Sequence, residues 1–158
     1  MMADDRLTFP KSERLRHKIL VDTLFRKGGT IFEYPLKLQY RALTAQELKE
    51  SFRVGVPDRI APLQVMITIP KKKRRHAVDR VLMRRRIREA YRLNRRSLRR
   101  QIEEHPGIRT LSLALIYISE DNIDYPRIER KVQKLLSRLA TQFPIPDSHP
   151  EKNPETNP

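Results

Sequence analysis

One stretch of the sequence limits the possible folds more than any other, the segment 71–100, which begins KKKRRHAVDRVLMRRRIREAYR. It contains 15 Lys or Arg residues and two acids, Asp79 and Glu89. Its net charge is therefore +13, out of +15 for the whole chain. Like charges one helical turn apart destabilise an isolated helix by roughly a few tenths of a kcal/mol per pair. Such a segment forms a stable helix only where another interaction offsets the repulsion.

Helical periodicity within the same segment supplies one such interaction. At about 100° per residue, a helix predicted over 78–103 has an apolar stripe on one side. The stripe consists of Met83, Ile87, Ala90, Tyr91, Asn94, Leu98 and Ile102. The other side and its borders carry Arg84, Arg85, Arg88, Arg92, Arg95, Arg96 and Arg99. The pattern predicts a helix that docks through one face and presents arginines on the other.

The segments on either side of the basic helix predict an α+β fold. Apolar residues at helical spacing predict a short helix over 17–27 that ends at Gly28-Gly29, and a last helix that begins at Tyr125-Pro126. Apolar alternation or continuous apolar runs predict strands over 35–43, 63–69 and 111–118. This order is typical of one sheet that carries helices mainly on one face.

The domain organisation follows from length and proline content. A chain of 158 residues with 38% hydrophobic content can bury one ordinary core, so we expect a single domain over 1–143. The Pro-rich, polar stretch 144–158 predicts a disordered tail. Pro57 and Pro62 favour a long loop over 44–62, with a partial strand at 52–56, more than a turn of helix.

Composition excludes several classes of protein. The absence of Cys removes disulfides and thiol nucleophiles, and the four His show no metal-ligand spacing. No apolar run approaches the roughly 20 residues of a membrane span, and the N-terminal residues lack the apolar core of a signal peptide. We therefore expect a cytoplasmic protein.

The charge pattern indicates binding to nucleic acid. An ordinary solvated helix face interleaves acids with its basic residues, whereas this one has few acids, and its excess of Arg favours bidentate contacts with phosphates. Neither a helix-turn-helix pair nor zinc ligands nor a leucine zipper is evident, which favours structured RNA, read by shape and phosphate positions, over DNA.

Catalysis by the polypeptide itself is not expected. A protein nuclease needs a positioned acid and base or a cage of carboxylates around a metal. Asp79 and Glu89 are ten residues apart in one predicted helix, and the acids within 120–124 are typical of a solvated turn. His76 is the one histidine suited to act as a base, and we interpret it first as a phosphate or backbone contact. We predict no catalytic residue and no metal ligand in the chain.

At AVDRVLMRRRIREAYR, residues 77–92, the sequence resembles the protein subunit of bacterial ribonuclease P. That family has the pattern A-V-x-R-N-R-[apolar]-[K/R]-R-x-[apolar]-R-E-x-[aromatic]-R after a strand that ends in two basic residues, here Lys71 and Lys72. The matching positions are Ala77, Val78, Arg80, Met83, Arg84, Arg85, Ile87, Arg88, Glu89, Tyr91 and Arg92. The lead-in FPKSERL, the helix end LFRKGG and the closing strand and helix extend the resemblance over about 9–140.

The resemblance implies a fold and an activity. The fold is a two-layer α/β sandwich with about four strands, in which the basic helix crosses between parallel strands in the rare left-handed sense. The activity is that of a ribonucleoprotein whose RNA subunit, with bound Mg²⁺, cuts the 5′ leader from precursor tRNA. The protein binds the RNA subunit and the leader, and the catalysis belongs to the RNA.

The resemblance also implies which residues bind RNA. For the RNA subunit they are Lys71, Lys72, Lys73, Arg80, Arg84, Arg85 and Arg88, with Arg92 as a flank. Candidates for the leader cleft, by position, are Phe9, Lys11, Arg14, Phe25, Tyr40 and Lys72. For Phe25 and Tyr40, packing in the core of the protein is an equally good interpretation.

Two positions depart from the family pattern. Val81 and Leu82 stand where the family has Asn and Arg. Either they pack against another element, such as the 44–62 segment or the C-terminal tail, or the chain binds its RNA with fewer contacts. Two rival functions stay open at this point: a structural ribosomal or nucleoid-type protein without an enzymatic complex, and an autonomous nuclease that uses His76.

Overall fold

The computed structural model describes residues 9–146 of the chain. These residues contain a four-stranded mixed sheet. Its strands are β1 (Gly29–Glu33), β2 (Leu36–Leu43), β3 (Leu63–Thr68) and β4 (Thr110–Tyr117). They lie in the order β1-β2-β4-β3, with β1 antiparallel to β2, β2 antiparallel to β4 and β3 parallel to β4. The predicted α+β class and the sheet of about four strands are confirmed.

Five α-helices flank the sheet within the same residues. They are α1 (Lys18–Lys27), α2 (Ala45–Ser51), α3 (Ala77–Asn94), α4 (Arg96–Glu104) and α5 (Tyr125–Ala140). Because β3 and β4 are parallel neighbours, the chain between them must cross from one end of the sheet to the other, and α3 and α4 make that crossover. The basic helix therefore lies beside the strands that it connects.

Alternation along the strands sends side chains to two separate apolar clusters. On one face, Leu113 and Leu115 of β4 pack with Met83, Ile87 and Tyr91 of α3, and α5 completes that cluster. On the other face, Ala114 of β4 packs with residues of α1 and α2. The apolar stripe predicted for the basic helix is confirmed, since six of its seven members, all but Asn94, lie in the first cluster with 3% exposure or less.

The predicted single helix over 78–103 is wrong, because it is two helices that meet at Arg95. Arg95 adopts φ −84° and ψ −10°, and its side chain is 2% exposed and paired with Glu13. The sequence analysis placed Arg95 on the basic side of the helix or its borders. In the structure its side chain points inward, and Arg99 of α4 pairs with the same carboxylate.

Two further elements differ from the sequence prediction. The segment 44–62 begins with a helix, because Thr44 and Glu47 form a capping box: the Thr44 Oγ1 accepts from the Glu47 N–H at 3.0 Å, and the Glu47 carboxylate accepts from the Thr44 N–H at 2.9 Å. No strand forms at 52–56 among the described residues. Strand β1 was not predicted, because Gly28-Gly29 was interpreted only as the end of a helix.

Some predictions extend beyond the described residues. The single domain over 1–143 and the disordered tail over 144–158 include residues 1–8 and 147–158, which lie outside them, and both stay predictions. Within 9–146, no helix is long and apolar enough to cross a membrane.

Candidate nucleic-acid interface

Three arginines on the outer side of α3 form the centre of the candidate interface. Arg85 is exposed, and Arg84 and Arg88 are partly buried along its flank. Within residues 9–146, none of the three makes a hydrogen bond or an ion pair with a protein group, so their guanidinium groups are available to an external anion. Guanidinium groups bind phosphate oxygens in a bidentate manner, which suits a polynucleotide backbone.

The lysines that precede α3 lie in a turn that the structure holds against the start of the helix. The N–H of Lys73 donates to the carbonyl of Pro70 at 3.0 Å, and Lys71 and Lys72 are exposed. Arg80 donates from Nη1 to the carbonyls of Arg74 and Arg75, at 3.0 and 2.8 Å. Arg80 therefore positions the lysine turn, whereas the RNA contact that the resemblance implies for it stays a prediction.

A second set of bonds fixes the same turn to the loop after β4. Arg74 pairs with Asp79 at 3.1 Å and donates to the Asn122 side chain at 3.0 Å, while Asn122 donates to Asp79 at 3.1 Å. Arg74 also donates to the Glu120 carbonyl. Because these groups satisfy each other, Asp79 compensates an internal arginine and does not lower the positive charge on the outer side of α3.

Arg92 differs from the other arginines predicted to bind RNA. It donates to both carboxylate oxygens of Glu89, at 2.7 and 3.2 Å. This hydrogen bond lowers the pKa of Glu89, so the carboxylate stays ionised and offsets the charge of Arg92. The expected pairing of Glu89 with a neighbouring arginine is confirmed, whereas the side chains of Arg84, Arg85 and Arg88 have no such partner within residues 9–146.

A groove joins α3 to the lead-in segment that precedes α1. The Arg14 guanidinium lies 5.4 Å from the centroid of the Phe9 ring, and that ring meets the Tyr91 ring edge-on at 5.9 Å. The groove has a volume of about 180 Å³ and is lined by Phe9, Arg14, Leu15, Val65, Met66, Ile67, Arg84 and Arg88. The structure thus brings two leader-cleft candidates, Phe9 and Arg14, next to two RNA-binding candidates of α3. Lys11 lies exposed in the turn between them.

A buried carboxylate anchors that lead-in segment. Glu13 is 1% exposed and accepts from Arg95 at 2.6 and 3.1 Å and from Arg99 at 3.2 Å. The sequence analysis did not assign this role, because Glu13 and Arg95 are 82 residues apart. The signal available was the position of Glu13 within the lead-in motif FPKSERL.

Phe25 and Tyr40, the other two leader-cleft candidates, lie on opposite faces of the sheet. Phe25 is exposed on α1. Tyr40 of β2 points to the α5 face and packs edge-on against Phe143, with ring centroids 5.7 Å apart. A Cβ on Gly29, its partner in β1, would lie 2.5 Å from the Tyr40 ring, so a larger residue there would displace that ring. The structure therefore does not bring Tyr40 together with Phe25.

A row of side chains on the α1 face was missed by the sequence analysis. The strand register aligns Phe32, Lys37, Ile116 and Thr68 across the four strands. The Phe32 ring is 60% exposed, and the Lys37 ammonium lies 5.9 Å from its centroid. An exposed ring beside a cation is the arrangement on which nucleobases stack. Only the pairing of β1 with β2, which was not predicted, brings the two together.

Within residues 9–146, the acids and the histidine considered for catalysis contact other protein groups. Asp124 lies 3.9 Å from Arg127, at the start of α5. His76 precedes the first residue of α3, and its carbonyl accepts from the N–H groups of Asp79 and Arg80. Among the described residues, no group of three or more His, Asp or Glu side chains is placed to hold a metal ion.

Comparison with known proteins decides the family. The sequence model of the family described as ribonuclease P matches residues 9–140. The chain belongs to the ribonuclease P protein family. The ribonuclease P protein component of Porphyromonas gingivalis strain W83 is 33% identical over 134 residues, which cover 85% of this chain and 88% of the relative. That of Chlorobaculum tepidum is 31% identical over 147 residues, which cover 89% of each.

Solved structures of ribonuclease P proteins share the fold. The protein of Staphylococcus aureus superposes with a TM-score of 0.54 at 16% identity, covering 84% of this chain and 99% of that one. The protein of Thermotoga maritima superposes with a TM-score of 0.52 at 18% identity, covering 80% and 96%. The resemblance seen in the sequence is confirmed. As a ribonuclease P protein, the chain is a component of the endoribonuclease that matures the 5′ end of tRNA.

Proposed function

We propose that the chain binds the RNA subunit of ribonuclease P through the outer side of α3. The observation that carries this proposal is the group formed by Arg84, Arg85 and Arg88, whose side chains make no hydrogen bond or ion pair within residues 9–146 and which lies on the segment that matches the family motif. The turn with Lys71, Lys72 and Lys73 extends the same positive surface. Phosphate neutralisation by such groups releases counterions and supplies most of the affinity.

The 5′ leader of precursor tRNA is the second ligand in this proposal. Its single-stranded nucleotides would stack on Phe32 next to Lys37 and continue past Phe25, with Phe9, Lys11 and Arg14 close to α3. Stacking on aromatic side chains tolerates any base, which suits a leader of variable sequence. The packing of Tyr40 against Phe143 supports the alternative interpretation for that residue, a role in the core.

The chemistry in this proposal belongs to the RNA subunit, as the family resemblance implies. Mg²⁺ would be held by the RNA, and the polypeptide would supply charge and shape but no catalytic side chain. The cytoplasmic location expected from the composition is part of the same proposal.

Reconstitution tests the proposed function. The cognate RNA subunit is incubated with precursor tRNA at low Mg²⁺, with and without the protein, and 5′ processing is measured. We expect the protein to stimulate cleavage and to cut nothing without the RNA. A lack of stimulation would favour a structural nucleic-acid-binding protein, and cleavage by the protein alone that is lost in His76→Ala would favour an autonomous nuclease.

A further inference from the structure

The N-terminal half of α3 exposes an apolar patch within its basic surface. Val78 is 72% exposed, Val81 is 48% exposed, and Leu82 is partly buried beside them. They precede Arg85 by seven, four and three residues, so the three side chains and the guanidinium share one side of the helix. An apolar patch among arginines is suited to a ligand that has both charged and nonpolar surface.

No described element covers this patch. The segment 44–62 had been one candidate to pack on it, but Leu48, Phe52 and Ile60 pack with α1 in the second apolar cluster, on the opposite face of the sheet. The 44–62 segment is therefore excluded as an element that packs on the patch, whereas residues 147–158 of the tail lie outside the described residues. The half-exposed state of Val81 instead leaves its methyl groups available to a ligand that approaches α3 from outside.

The surroundings of the patch favour RNA over a protein as its ligand. Asp79 pairs with Arg74 and Glu89 with Arg92, so the nearby acids are already compensated and the rim stays positive through Arg84 and Arg85. Three aliphatic side chains also present far less than the roughly 1,000 Å² that a specific protein interface buries. The phosphates of a nucleic acid would pair with the arginines at the rim of the patch, and its nonpolar sugar surface would contact the aliphatic side chains at the centre.

We propose that Val78, Val81 and Leu82 contact the sugars of a double-helical RNA segment across its minor groove, while Arg84 and Arg85 bind the adjacent phosphates. The wide, shallow minor groove of A-form RNA exposes ribose groups to a flat protein surface, whereas that of B-DNA is narrow. This inference rests on the proposed function and specifies how the same helix recognises its RNA. Where the family pattern has polar groups, this chain would use nonpolar contact.

Substitution of Val81 by Ser tests the proposal, with binding measured to the RNA subunit, to a short RNA duplex and to a DNA duplex of the same sequence. We expect binding to both RNAs to weaken about threefold to tenfold, as for the loss of one or two buried methyl groups. The slope of log K against log salt should not change, because no phosphate contact is lost. Binding to the DNA duplex should not change either.

Val54→Ser is the matched control, since Val54 is 98% exposed in the loop after α2, and it should leave all three affinities unchanged. Val81→Ile, which keeps the apolar surface, should bind RNA as the unsubstituted protein does. Unchanged RNA affinity in Val81→Ser, or an equal loss on DNA, would overturn the proposal. A lowered free energy of unfolding in Val81→Ser would also overturn it, because the side chain would then pack within the chain.

These measurements need only binding. A failure of reconstitution would therefore sink the proposed function without deciding whether Val81 contacts RNA, and a null result with Val81→Ser would leave the role of the arginines intact.

Discussion

Glu13 is the residue that ties the lead-in segment to the crossover between β3 and β4. Its carboxylate accepts from two guanidinium groups, those of Arg95 and Arg99, in a site from which water is almost excluded. Burying a charge costs several kcal/mol per ion unless it is paired and hydrogen-bonded. Removing one partner of a buried ion pair therefore destabilises a protein much more than replacing the whole pair by apolar residues. The position of Phe9 and Arg14 against α3 depends on this anchor.

Glu13→Gln should lower the free energy of unfolding by about 3–5 kcal/mol, because it leaves the Arg95 charge buried without its counterion. Urea denaturation followed by circular dichroism measures the change. Glu104→Gln removes the same charge from an exposed site at the end of α4 and should alter stability by less than about 0.5 kcal/mol. Similar stabilities for the two variants would show that the buried pair contributes little.

At the scale of the element, α3 divides its arginines between two tasks. Arg86 donates from Nη1 to the Ile123 carbonyl at 2.6 Å and so holds the loop before α5. Arg84 and Arg85, its neighbours in sequence, make no such bond within residues 9–146. Consecutive arginines of one helix therefore have different roles. Arg86 holds a neighbouring loop, whereas Arg84 and Arg85 lie on sides of the helix where they can bind a ligand.

Arg84→Ala should weaken RNA binding and reduce the slope of log K against log salt by about one unit, as for one lost phosphate contact. Arg86→Ala removes the same formal charge two residues further along, on another side of the helix, and it should lower stability with almost no change in slope. Fluorescence anisotropy at several salt concentrations measures both. Equal slope changes would mean that RNA responds to the total charge of the protein and not to the outer side of α3.

The whole molecule presents two surfaces that are suited to RNA on opposite sides of one sheet. The layer with α3 and α5 carries the arginine surface, and the face with α1 carries the row of Phe32, Lys37, Ile116 and Thr68. Because a rigid sheet separates them, each surface can bind a different RNA segment at the same time. Substitutions in the arginine surface are therefore expected to weaken binding of one RNA segment, and substitutions in the row on the α1 face to weaken binding of the other.

Phe32→Ala should weaken the affinity of the reconstituted enzyme for precursor tRNA about fivefold, near the low end of the roughly 1–3 kcal/mol measured for one stacked base. Its affinity for leaderless tRNA and the binding of the protein to the RNA subunit should not change. Tyr34→Ala is the matched control, since Tyr34 is 59% exposed on the same hairpin but outside the row. An equal loss with leaderless tRNA would contradict a leader contact at Phe32.

The predictions from sequence succeeded where the determining interactions are local. The α3 stripe was predicted because helical period places Met83 and Ile87 on one side whatever the rest of the chain does. The capping box of Thr44 and Glu47 was equally local, and it was missed because the prolines that follow were given more weight. Tyr40 shows what alternation along a strand cannot predict. The alternation assigns side chains to two faces of the sheet, but it does not indicate which helix covers each face.

The sequence by itself determined the class of the fold, the basic helix with its apolar docking side, and the family, because each is encoded in residues within a few turns of one another. Only the tertiary structure decided that the helix breaks at Arg95 and that Phe32 stands beside Lys37. It also decided that no element within residues 9–146 covers Val81. Those features depend on which distant segments pack together, as does the pairing of Arg95 with a carboxylate 82 positions away.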